Sequence, residues 1–310
     1  MKLERLLTFA IVGFVAQLID GALGMAYGVT ASSLLLSGGT AAATASASVH
    51  LAEIGTTFAS GASHWRFGNV NWRTVRWIGI PGAAGAFFGA TTLSNLNGDA
   101  VTPYVSGVLM ALGIYIIVRF AFGVTRKPVA PEHLRGRFLA PLGIFGGFID
   151  AIGGGGWGPV TTPALMTAGR MAPHTAVGSA SASEFLVTVA ASAGFVANLG
   201  TSGIDGWIVA GLLIGGVAAA PLAAWVVRRL PAPVLGTMVG VLILVVNART
   251  LMIVNEVAGP ARLAMLVSGT LVGALLVIRS ALVVRATRLV GAGDEVPETL
   301  AEVDDEVALY

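Results

Sequence analysis

Nine apolar runs fill most of the chain, near residues 6–37, 41–63, 74–95, 100–123, 138–168, 173–198, 207–227, 232–253 and 262–290. Crossing about 30 Å of hydrocarbon takes roughly 20 residues of helix. Inside hydrocarbon every backbone N–H and C=O must also be satisfied within the protein. Runs of this length and number therefore predict an all-α polytopic membrane protein with the lipid bilayer as its constant partner. Composition agrees: 55% of the 310 residues are hydrophobic and 11% charged, against roughly 25% charged in a soluble domain, and the mean hydropathy is +0.83. The opening "MKLERLLTFAIVGFVAQLI" has the charged start and apolar body of a signal peptide. It lacks an A-x-A cleavage site and is read as a retained segment.

Two runs are too long. As continuous helices 6–37 and 138–168 would each exceed about 45 Å, and each carries glycine near its middle. They also match each other. At an offset of 130, "LIDGALGMAYGVTASSLL" (18–35) falls on "FIDAIGGGGWGPVTTPAL" (148–165), pairing Asp20 with Asp150, Gly24 with Gly154, Tyr27 with Trp157 and Gly28 with Gly158. One inserted residue later, "ASASVHLAE" (45–53) falls on "AVGSASASE" (176–184), pairing Ser48 with Ser179 and Glu53 with Glu184, and Trp72 then pairs with Trp207. Such a duplication is typical of transporters that build a site at the repeat interface from discontinuous helices. The expected organisation is a first repeat (1–123), a basic linker (124–137), a second repeat (138–254), an extra helix (255–290) and an acidic disordered tail (291–310).

Of sixteen carboxylates, twelve lie at the termini or in short connections, leaving only Asp20, Glu53, Asp150 and Glu184 inside apolar runs. These are two repeat-related pairs. A charge at the bilayer centre costs about 2.5–3.5 kcal/mol on insertion scales and usually faces a cavity or a partner. Two readings stand for the aspartates, helix capping and function. For the glutamates the choices are a transport or proton-relay role and structural hydrogen bonding. Loop cations decide the topology. If both broken runs span, they split 10 against 5; if each dips in and returns, 12 against 3. The second arrangement is preferred. Each repeat then has one re-entrant hairpin and three spanning helices, the second copy is inverted, and the C-terminus is cytoplasmic.

Glycine-rich tips at membrane depth suit an anion. Glycine permits positive φ and close approach, Pro159 suits the start of a half-helix, and free N–H groups at that start carry positive potential. The stretches "VTASS" (29–33), "TASAS" (44–48), "VTT" (160–162) and "GSASAS" (178–183) add hydroxyl donors. The candidate substrate-binding residues are Gly24, Tyr27, Gly28, Thr30 and Ser48 in the first repeat. In the second they are Gly153, Gly154, Gly155, Gly156, Trp157, Thr161, Ser179 and Ser181. Small residues also let helices pack closely, and that alternative covers many of the serines.

The pieces "GFVAQLIDGALGMAYGVTASSLLLSG" with "HWRFGNVNW", and "GGFIDAIGGGGWGPVTTPALMTAGRMAPHTAVGSASASEF" with "GIDGW", resemble the two halves of the TauE/SafE family of sulfite exporters, the 4-toluene sulfonate uptake permease group. The resemblance covers roughly residues 8–255, and "GALGMAYG" holds fewer glycines than the second motif. It implies movement of sulfite, an organosulfonate or a related small anion across the cytoplasmic membrane of a prokaryote. Two transport alternatives are a passive anion channel and a carrier of small carboxylates.

Other classes find little support. With no cysteine and four scattered histidines, neither a metal centre nor another cofactor is expected. His50, one turn before Glu53, is the best enzyme-like pair, yet "HLAE" is no protease signature and no enzyme is expected. The acidic tail offers nothing to nucleic acid. Homo-oligomerisation stays open.

Overall fold

The computed structural model describes residues 2–23, 25–122, 135–168, 171–200, 203–226 and 231–293. Among these the chain forms eleven helices: α1 (Lys2–Leu23), α2 (Tyr27–Ser37), α3 (Ala42–Arg66), α4 (Trp72–Ser94), α5 (Gly98–Phe122), α6 (Gly136–Gly153), α7 (Trp157–Ala168), α8 (Pro173–Leu199), α9 (Gly206–Val226), α10 (Ala232–Val254) and α11 (Gly259–Gly293). Each overlong run is broken into two helices, α1–α2 and α6–α7, at its glycines. Gly136 and Arg137, placed in the linker by the sequence reading, are instead the first residues of α6. The rest of that linker up to residue 134, and the tail from 294, lie outside the described residues.

Four described helices are long and apolar enough to cross a bilayer, at 100–122, 174–199, 232–254 and 259–286. The 25-residue α3 and 23-residue α4 have the length but carry hydroxyls, glycine and, in α3, Glu53. On α3, Ser46, Ser48, His50, Glu53 and Thr57 are buried.

Glycine sets the closest helix contacts. Helices α4 and α6 run side by side in one direction, and so do α1 and α9. A Cβ on Gly85 would fall on the Ile144 carbonyl, and one on Gly147 would fall on the Gly82 carbonyl. Gly211 and Gly215 meet Phe9 and Ala10 in the same way. Gly143 with Gly147, and Gly211 with Gly215, are spaced as G-x-x-x-G, and such residues let backbones approach where lipid offers no hydrophobic drive for association. The pairs α3–α8 and α5–α10 are antiparallel. In the first, Gly61 meets Ala182 and Thr57 meets Thr188; in the second, Gly240 meets Ile117 and Gly236 meets Phe120.

The two ends of the bundle receive different segments. At the first face, the α8–α9 connection meets the starts of both α1 and α3. Arg5 forms an ion pair with Asp205 at 2.6 Å, and the Thr44 hydroxyl donates to the Gly203 carbonyl at 3.2 Å. Arg249, near the end of α10, donates there to the Ser37 carbonyl at the end of α2. At the second face, the start of α4 meets the start of α6, and the α3–α4 connection meets the start of α8. Gly136 lies against Trp77 and Gly178 against Asn69, while Asn71 N–H donates to the Ser179 hydroxyl at 2.9 Å. Exposed Arg66, Arg73, Arg76, Arg135 and Arg137 gather at this second face, beside exposed Trp65, Phe67, Trp72 and Trp77. Aromatic rings of this kind favour the headgroup level.

Candidate functional site

The two helix breaks are built alike. Asp20 Oδ1 accepts from the N–H groups of Ala26 (2.8 Å) and Tyr27 (3.2 Å), at the start of α2. Asp150 Oδ1 accepts from Trp157 N–H (2.9 Å) at the start of α7, and the Asp150 carbonyl accepts from Gly155 N–H (2.9 Å). A carboxylate at a helix N-terminus satisfies orphan donors and complements the helix dipole. Each aspartate therefore holds its break closed and occupies N–H groups that would otherwise face a ligand.

The breaks meet one another in the protein interior. Gly154 ends α6 in the left-handed conformation, φ 65°, and Gly155 follows at φ 150°. Gly155 lies so close to Gly28 and the Val29 amide that neither tolerates a side chain, and a Cβ on Gly28 would stand 2.6 Å from the Gly154 carbonyl. Ser32 donates to that carbonyl at 2.7 Å, and Ser46 donates to the Ala151 carbonyl. Three features of the "GGGG" run thus have a geometric cause: a left-handed cap, a second positive φ and tip-to-tip contact.

Beside this contact lies a cavity of about 220 Å³, lined by Gln17, Asp20, Tyr27, Glu53, Thr56, Thr57, Ser60, His64, Val177, Ser181 and Glu184. It runs along α3 from Glu53 to His64, about 16 Å at 1.5 Å per residue, and opens at the second face between the end of α3 and the start of α8. Of the residues singled out from sequence, the structure brings Asp20, Tyr27, Glu53, Ser181 and Glu184 into its wall. Glu53 is only 4% exposed, and its Oε1 lies against Gly28. The Tyr27 hydroxyl donates to the Leu212 carbonyl at 3.2 Å.

The remaining candidates sit elsewhere. Gly153, Gly154, Gly155 and Gly156 are buried at the tip contact, outside the cavity wall. Trp157 is fully buried, its indole N–H donating to Ala180 O (3.1 Å), and Thr161 donates to Trp157 O (2.7 Å). Ser179 accepts from Asn71. Thr30 and Ser48 are buried, with hydroxyls that find no hydrogen-bond partner among the described residues. Asp150 is buried against His50, Oδ2 to Nε2 3.1 Å. Gly24 lies outside the described residues.

Sequence reasoning missed Gln17, Thr56, Thr57, Ser60, His64 and Val177. The signal was present. Positions 53, 56, 57, 60 and 64 follow the spacing of one helix face, a polar stripe along α3. Among the described residues no group of three or more His, Asp and Glu could hold a metal ion.

A helical bundle with multiple apolar helices, paired helix breaks meeting at its centre and a polar cavity beside them defines a multi-pass membrane transporter. The chain belongs to the family described as Sulfite exporter TauE/SafE, whose pattern matches residues 9–250. It is also 49% identical, over 256 residues, to a protein of Bacillus subtilis (strain 168) named "Probable membrane transporter protein YtnM", covering 82% of this chain and 84% of that one. No solved structure matches it. As a transporter rather than an enzyme, it works between a small substrate and the lipid bilayer.

Proposed function

We propose that the protein is a carrier for a small oxyanion, most simply sulfite, an organosulfonate or a related sulfur oxyanion, in the cytoplasmic membrane of a prokaryote. The observation that carries this reading is the cavity. It is open toward one face, ends at Asp20 and Tyr27 of the first helix break, and is closed beyond them by the contact of Gly28 with Gly154 and Gly155. A pathway closed on one side favours a carrier over a passive channel.

Two inverted repeats with re-entrant hairpins account for the contacts at the bundle ends. The starts of α1 and α3 share the first face, and the starts of α6 and α8 share the second. Each broken helix then leaves and returns on one side, and the hairpins approach from opposite sides. The arginine-rich second face is cytoplasmic by the positive-inside rule, so the cavity opens to the cytoplasm and alternating access exposes the site to the other side in turn.

The substrate binds to the hydroxyls of Ser60 and Ser181 and the amide of Gln17, in the cavity that Tyr27, Thr56 and Thr57 help to wall beside the glycine tips. Among the described residues no lysine or arginine lines the cavity, while three carboxyl groups do. An anion about 6 Å from one ionised carboxylate is opposed by about 3 kcal/mol at an effective dielectric of about 20. Protons must therefore share the site, and Glu53 and Glu184 are their carriers. In proteoliposomes, unlabelled sulfite trapped inside should accelerate uptake of labelled sulfite. Equal flux with and without trapped sulfite would refute a carrier of this anion.

A further inference from the structure

The duplication makes a demand that the structure meets unequally. By the repeat register, the cavity residues Asp20, Tyr27, Glu53, Ser60, His64 and Ser181 correspond to Asp150, Trp157, Glu184, Ala191, Phe195 and His50. The first set surrounds open space. In the second, Trp157, Ala191, Phe195 and His50 are all 0% exposed and Asp150 is 1% exposed.

His50 is what fills that place. Its Nδ1 lies 2.8 Å from the Ser46 carbonyl, which only accepts, so Nδ1 carries a proton. Its Nε2 lies 3.1 Å from Asp150 Oδ2, a contact needing one further proton on either partner. The pair is thus either imidazolium with carboxylate or imidazole with carboxylic acid, and in both forms its net charge is zero, as a fully buried pair requires. Phe195 lies over the imidazole, ring centroids 5.9 Å apart. Ser46 is near the start of α3 and Phe195 near the end of α8. The cluster therefore stands between the central glutamates and the first face, on the side away from the open cavity.

We propose that His50, seated on Asp150 and covered by Phe195, is the closed gate of the pathway to the first face, filling the space that Ser181, Ser60 and His64 leave open on the second. The inference rests on the carrier reading, but its test needs no substrate, so the two fail separately. In the outward-open state His50 leaves Asp150, and the wall that Ala191 shares becomes wet. Because the gate residue is a histidine where the other half has a serine, the two pathways are chemically unlike. The gate toward the first face opens by breaking the buried hydrogen bond between His50 and Asp150, and among the described residues the cavity toward the second face holds no such pair.

The chain contains no cysteine, so single cysteines report accessibility directly. Ala191→Cys should react slowly with a membrane-impermeant maleimide added from the first face, and Ser60→Cys rapidly from the second. Adding His50→Ala should raise the labelling rate of Ala191→Cys about tenfold or more, a shift of about 1.4 kcal/mol in the opening equilibrium. Ser60→Cys should keep its sidedness, which checks that the bundle is intact. Phe195→Ala, which spares the His50–Asp150 pair, should open the same site independently and decides the matter if His50→Ala fails to fold. Unchanged labelling of Ala191→Cys in a folded variant overturns the proposal.

Discussion

Replacing Gly155 with valine probes the tip contact most directly. Its φ of 150° belongs to glycine, and a β-branched residue forced there costs about 1–3 kcal/mol. The new side chain would also strike Gly28 and the Val29 amide, and overpacking of this kind costs about 1–3 kcal/mol more. Neither obstacle yields easily, because both colliding groups are backbone. The sum, about 2–6 kcal/mol, falls on the contact between the two helix breaks rather than on the bundle, whose helix pairs meet through other glycines. At about 1.4 kcal/mol per tenfold, the population with both tips seated should fall by about thirtyfold to more than a thousandfold. The expected result is protein that inserts and purifies as a monodisperse species yet shows counterflow reduced by at least about thirtyfold. Gly155→Ala should already impair counterflow, since its Cβ alone meets the Gly28 and Val29 backbone at the same positive φ. Wild-type counterflow and thermal stability in Gly155→Val would refute both the geometry of the tip and its place beside the site.

Further outcomes follow from the acids and the topology. Glu53→Gln and Glu184→Gln keep the shape of the cavity wall but remove ionisation, so at least one should flatten the pH dependence of transport without lowering thermal stability; full retention by both would make the glutamates structural. Asp20→Ala should destabilise the start of α2 by about 1–2 kcal/mol, the worth of a helix cap, whereas Asp20→Asn should keep most of it; thermal unfolding distinguishes the two. A reporter active only in the periplasm, fused after Tyr310, should be silent, since α11 runs from the first face toward the second; activity there would reverse the orientation. Thermal-shift measurement against sulfite, sulfate, thiosulfate, taurine and simple carboxylates should show stabilisation by the transported class alone, as native-state ligands stabilise by mass action.

Much of the architecture was legible because hydrocarbon is an unforgiving solvent. It admits few charges and no unpaired backbone, so run lengths alone announce helices, and glycine in the middle of an overlong run announces a break. Gly153 through Gly156 and the "MAYG" stretch were readable in this way. So was the isolation of Asp20, Glu53, Asp150 and Glu184, since an acid stands out against an apolar background. The α3 stripe from Glu53 to His64 was equally present as periodicity, although hydroxyls in a membrane helix are common enough to hide it.

What the sequence could not decide is what the two halves do differently. Asp20 and Asp150 occupy matching positions and cap matching half-helices seven residues on. Only the tertiary fold sends one into an open cavity and seats the other on His50, a hundred residues away along the chain. Likewise, four consecutive glycines announce an unusual backbone but not that it packs against Gly28 and Val29, which a packed helix bundle alone brings within reach. Local composition sets which conformations each segment can adopt; contacts between distant segments set which groups meet water and which meet each other, and the chemistry of the site depends on those.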